Sequence, residues 1–133
     1  MAELSVSHVY NASADHMWSL FGDPAGMANW HPAIAKSPSE NGRRTCTLMD
    51  GGEVKEEIMA HDDSARSYTY RIIESPLPMT GYVSTIRVGP SGSGKAEVVW
   101  EAEYEPAGVE LATLEEMLRG LYTVGLEALE SKL

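Results

Sequence analysis

The chain has 133 residues, 43% of them hydrophobic and 23% charged, with a net charge of −10. That balance fits one globular domain, residues 1–133, with a core of its own, and excludes disorder. The charge repels phosphate backbones and excludes nucleic acid as the expected partner, and the single cysteine, Cys46, excludes an internal disulfide and a cysteine-based zinc site. Met1 to Ser5 has neither the basic nor the apolar stretch of a leader, and the longest apolar runs are a few residues. No membrane span is expected, and the cytoplasm is the expected location. Leu4 to Tyr10 reads as a strand. Ser13 is placed to cap a helix carrying Met17, Leu20 and Phe21, which Gly22-Asp23-Pro24 stops. A further helical turn over Ala25 to Trp30 ends at His31-Pro32. Ala33 to Pro38 is a short strand. Arg44 to Met49 and Glu53 to His61 flank Asp50-Gly51-Gly52, a hairpin signal. Ser67 to Glu74 puts Tyr68, Tyr70 and Ile72 on one face. After a break at Ser75-Pro76-Leu77-Pro78, Gly81 to Val88 and Lys95 to Tyr104 flank the turn Gly89 to Gly94. In the last strand Val98, Trp100, Ala102 and Tyr104 oppose glutamates. Val109 to Leu133 has helical periodicity, with a stripe through Leu114, Leu118, Leu121, Tyr122, Gly125 and Leu129.

This order gives an α+β fold. Two short helices follow the first strand, and a curved antiparallel sheet is closed by one long C-terminal helix. The inward aromatics, with Gly120 and Gly125 on the helix, suit an apolar cavity. A solid core would show the same alternation.

Several stretches occur in an order that resembles a known family: Asn11-Ala12-Ser13 with Trp18, Asn29-Trp30-His31-Pro32, Gly42-Arg43-Arg44-Thr45, and Asp50-Gly51-Gly52 leading to Glu56-Glu57-Ile58. Asp62 with Ser67 to Ile72, Pro78 with Tyr82-Val83-Ser84-Thr85, and Trp100 complete the set. Together they are similar to the polyketide cyclase/dehydrase branch of the START-like (Bet v 1-like, SRPBCC) superfamily, over nearly the whole chain. The resemblance implies a helix-grip fold: a seven-stranded sheet wrapped around the C-terminal helix, with a ligand cavity between them. It leaves function open, because the superfamily holds cyclases, lyases, hydrolases and ligand carriers.

Arg44 and Glu56 are the first candidates for chemistry. Their positions sum to an even number, so a three- or five-residue loop puts them on the same sheet face. If that face is inward, the arginine steadies the carboxylate in a dry site and faces any negative charge developing on a substrate. Glu56 is then a general base or acid. A structural salt bridge, or an outward pair, is the plain alternative. Both residues match the family pattern, in which the lachrymatory-factor synthase relatives use such a pair for proton transfer. Arg43 and Glu57 should point outward. His31, at the expected cavity mouth, titrates near neutrality as an imidazole; the alternative is a packed or capping residue. Tyr82 matches a family tyrosine after the break and completes the catalytic candidates. Trp30, Tyr70, Trp100, Met79, Met117 and Tyr122 are the expected ligand wall, although aromatics and methionines at these spacings also serve as plain core. The four histidines show no metal-ligand spacing, so no metal is expected, and no dinucleotide or other cofactor signature is present. The expected partner is a small hydrophobic or aromatic ligand, held by a monomer or homodimer. Two activities compete: a cyclase, dehydratase or lyase, and a non-catalytic carrier or sensor. An interaction module with a filled core is the third reading.

Overall fold

The computed structural model describes residues 1–133. β1 (Ala2–Tyr10) leads into α1 (Ala14–Phe21), where Ser13 Oγ accepts the His16 N–H at 3.1 Å and caps the first turn. Asp23 then caps a 3-10 turn, Pro24–Gly26, through the Ala25 N–H. α2 (Met27–Trp30) is one turn and stops ahead of His31-Pro32. β2 (Ile34–Lys36), β3 (Ser39–Glu40), β4 (Arg43–Leu48), β5 (Glu53–Asp62), β6 (Ser67–Glu74), β7 (Met79–Pro90) and β8 (Ala96–Pro106) follow. α3 (Leu111–Ala128) tightens into a 3-10 turn over Leu129–Lys132. The long helix therefore starts two residues later than its periodicity suggested, with Glu110 extended at its N-cap.

The antiparallel sheet runs in the order β1-β8-β7-β6-β5-β4-β2, the seven strands the resemblance implied. The one addition is β3, two residues that pair with the start of β4. Both are exposed and polar, so no apolar alternation announces them.

Bulges bend this sheet. The register of β5 against β6 shifts between Lys55 and Glu56 and again between Ile58 and Ala60. β7 against β8 shifts between Thr80 and Val83, around Gly81 at φ +64°. The extra residue at Gly81 changes which side chains point inward. Even-numbered Tyr82, Ser84 and Ile86 are buried beyond it, whereas odd-numbered Met79 turns toward the interior before it.

α3 lies across the concave face and buries Leu114, Leu118, Tyr122, Gly125 and Leu126. The Tyr10 hydroxyl donates to the Leu126 carbonyl at 2.5 Å. That carbonyl lies in the last turn, where helix carbonyls lack helical partners. No helix is long and apolar enough to cross a membrane.

Candidate functional site

The β4–β5 hairpin closes through Leu48 N–H to Gly52 O, which leaves a three-residue loop. Arg44 then stands directly opposite Glu56. Both side chains point inward, with Arg44 1% and Glu56 5% exposed, while Arg43 is exposed and Glu57 pairs with Arg71 outside. Arg44 Nε donates to Glu56 Oε1 at 2.7 Å. Its Nη1 donates to the Pro24 carbonyl at 3.0 Å and to the Tyr68 hydroxyl at 3.2 Å. The guanidinium also lies 4.7 Å from the centre of the Tyr70 ring. Burial opposes its charge, but Tyr68 and Glu56 outweigh burial and raise Arg44 well above its ordinary value.

Glu56 Oε1 accepts a second bond, from Cys46 Sγ at 3.2 Å. Burial, reinforced by the adjacent Glu56, pushes the thiol up to about 12. Cys46 is thus a buried donor and not a nucleophile. Glu56 Oε2 has no hydrogen-bond partner in the protein, and Glu56 lines a cavity.

That cavity has a volume of about 480 Å³, and 18 of its 22 lining residues are hydrophobic. Its floor is the concave sheet and its roof is α3. Exposed Met49, Met117 and Val124 belong to its lining and mark its mouth, between the β4–β5 hairpin and the helix. Gly120 also lies there, and a Cβ added to it would meet nothing within 4 Å.

A chain of hydroxyls crosses the floor from β6 to α3. Trp100 Nε1 donates to Tyr70 Oη at 3.2 Å and to Ser84 Oγ at 3.0 Å. Tyr70 Oη and Tyr82 Oη are 3.2 Å apart, Tyr82 bonds Tyr122, and Tyr122 lies 3.3 Å from Ser84 Oγ. Ser84 Oγ donates to the Glu101 carbonyl at 2.8 Å. The Trp100 and Tyr122 rings stack with centroids 4.0 Å apart. Burial raises Tyr70, Tyr82 and Tyr122 well above the ordinary phenol value.

His31 closes the other side. Its Nδ1 accepts the Ala33 N–H at 3.1 Å, so Nε2 carries the proton and donates to the Leu121 carbonyl at 2.9 Å. Gly125 sits one turn beyond Leu121. A Cβ there would fall 2.5 Å from His31 Cδ2, so only glycine lets the ring reach the helix. Burial lowers His31 below its ordinary 6.5, partly offset by the Leu121 bond.

Of the residues expected from sequence, Glu56, His31, Tyr82, Tyr70, Trp100, Met79, Met117 and Tyr122 line the cavity. Arg44 and Trp30 do not. Arg44 stands behind Glu56, so it braces the carboxylate and does not face a developing charge in the cavity. Trp30 is 4% exposed and packs edge-on between Phe21 and Trp100, turned into the core below α2. His31 lines the wall with both ring nitrogens already engaged, which is the packed alternative. Sequence reasoning passed over Tyr68 and Ser84 as site residues. Their inward parity was visible, but their roles depend on partners from other strands.

The family model described as polyketide cyclase / dehydrase and lipid transport matches residues 1–133. Among solved structures, XoxI from Bacillus cereus is 29% identical with a TM-score of 0.96, over 99% of this chain and 95% of that one. Ginseng major latex-like protein 151 from Panax ginseng is 22% identical with a TM-score of 0.80, over 98% and 96%. The Zhui aromatase/cyclase from Streptomyces sp. R1128 is 15% identical with a TM-score of 0.78, over 98% and 92%. At those identities the last two share the fold alone. A search of curated proteins finds no match. With the family model spanning the whole chain and the helix-grip architecture in place, the chain belongs to the polyketide cyclase/dehydrase and lipid transport family.

Proposed function

We propose that this protein binds a small hydrophobic molecule in the cavity and that Glu56 takes a proton from it. The observation that carries this reading is the free Oε2 of Glu56. It is the one unpartnered oxygen of a buried side chain in a mostly apolar lining. Arg44 fixes the carboxylate from behind, and the Cys46 thiol holds the same oxygen as Arg44. The second oxygen is thereby aimed and free, the arrangement a general base needs. A bound molecule would be oriented by cavity shape and by the Trp100 and Tyr122 rings.

A second reading, a carrier or sensor without turnover, is favoured by a specific observation. His31 and the three tyrosines have their protons committed to protein partners, so no second group is free to act as an acid. The two readings part at Glu56→Gln, in which the amide oxygen still accepts from Arg44. As a base, Glu56 is essential, and at saturating substrate the variant should lose turnover by about a hundredfold or more while the cavity still takes the substrate up. Retained turnover would remove Glu56 from the chemistry. Native mass spectrometry of the freshly purified protein, read for a co-purified ligand, would name the molecule class for either reading.

A further inference from the structure

We propose that the cavity accepts neutral ligands bearing a hydroxyl donor and rejects close analogues that offer only acceptors; this rests on the proposed binding of a small hydrophobic molecule there. The reason is the direction of every hydrogen in the wall. The Glu101 carbonyl can only accept, so the Ser84 hydroxyl hydrogen is spent on it. Tyr122 must then donate to Ser84, and Tyr82 to Tyr122. Tyr70 in turn donates to Tyr82. Four hydroxyl hydrogens point one way along the chain, and none is left for a ligand.

The other donors on the wall are equally committed. Trp100 Nε1 serves Tyr70 and Ser84, His31 Nε2 serves the Leu121 carbonyl, and Cys46 serves Glu56. Three buried atoms able to donate have no partner, Arg44 Nη2, Trp30 Nε1 and Tyr104 Oη, and none of these side chains lines the cavity. The wall therefore has spare capacity of one kind, acceptance, concentrated at Glu56 Oε2. A hydroxyl, whether phenol, enol or alcohol, is complementary to it. A ketone or ether leaves that oxygen facing an unpartnered group in a dry site. A carboxylate sets two like charges together in a protein of net charge −10. Because Glu56 is paired with Arg44, a neutral donor completes the site without adding a charge.

The test uses ring-matched naphthalene probes and isothermal titration on the full chain. 2-Naphthol should bind about tenfold or more tighter than 2-methoxynaphthalene, and 2-naphthoate should not bind measurably. In Glu56→Gln, whose amide can donate, the preference for naphthol should shrink to about threefold or less. Tyr82→Phe probes the chain itself. It removes the acceptor for the Tyr70 hydrogen, so binding of 2-acetonaphthone should rise about fivefold. Equal binding of naphthol and its methyl ether to the unaltered protein would overturn the donor rule and leave the cavity reading standing. Failure of all probes to bind would overturn both. A preference that survives intact in Glu56→Gln would also overturn the assignment.

Discussion

Arg44 is the largest fully buried side chain in the protein, and its charge is matched within the core by Glu56 alone. Removing one member of such a pair leaves the other charge without a partner in low dielectric, which costs more than the pair itself contributes. Arg44→Met should therefore destabilise the fold by about 3–5 kcal/mol in urea unfolding. The double variant Arg44→Met, Glu56→Leu should recover most of that loss, since two apolar groups replace a matched pair with no charge left over. If the double variant is as unstable as the single one, the cost lies in lost packing against Tyr68 and Tyr70 and not in the orphaned carboxylate. The same pair separates stability from function. The double variant keeps the fold while removing the oxygen on which binding and chemistry are proposed to depend.

At the scale of elements, two glycines on α3 have opposite roles although both interrupt a helix. Gly125 is held against His31 and Trp30, whereas Gly120 faces open space at the cavity mouth. Gly120→Ala should stabilise by up to about 1 kcal/mol, the helix propensity gained. Gly125→Ala should destabilise by about 1–3 kcal/mol, because the ring must leave the helix. Thermal unfolding of the two variants side by side checks both signs, and a destabilised Gly120→Ala would mean that the mouth is closed in solution. These two glycines also mark how far the sequence could be read. The hairpin arithmetic placed Arg44 opposite Glu56, and alternation put Tyr70, Tyr82 and Trp100 inside, because parity is local to a strand or a hairpin. What lay beyond it was depth. Parity says that Arg44 points inward but not that Glu56 stands between it and the cavity, and it says nothing of Trp30, which sits on a helical turn and packs against Trp100. Nor does it follow a strand through the bulge at Gly81, where Met79 joins the wall out of phase with Tyr82. The hydroxyl chain was hidden for the same reason. Tyr70, Ser84, Trp100 and Tyr122 come from four elements, and each by itself reads as core.

In the molecule as a whole, the helix is fastened to the rest of the fold by polar links that hold only in their neutral forms. His31 reaches the middle of α3, Tyr82 joins Tyr122, and Tyr10 meets the last turn. Each link sets an edge to the pH range of stability. His31 titrates below its ordinary 6.5 when folded, because burial disfavours the imidazolium. The unfolded chain then binds the proton more readily, so stability is complete above pH 6.5 and falls as pH drops below it. The alkaline edge has the opposite sign. Burial raises the folded value of Cys46 from its ordinary 9.0 to about 12, and it raises Tyr10, Tyr70, Tyr82 and Tyr122 above 10.0. For these groups the unfolded chain releases protons first, so stability is complete below pH 9 and is lost as pH climbs through their folded values. Unfolding free energy should therefore form a plateau from about pH 6.5 to about pH 9, with a decline on either side. His31 contributes to the decline below pH 6.5; Asp62, held down by its bonds to Ser64 and Ala65, titrates below 3.8 and contributes further down. Urea titrations of the protein and of His31→Gln, whose amide can still donate to Leu121, separate these contributions. Below pH 6.5 the variant's curve should decline less steeply than that of the unaltered protein. Parallel curves down to pH 4.5 would mean that His31 is charged and solvated in the folded protein, and that the link from α2 to α3 does not depend on its neutral form.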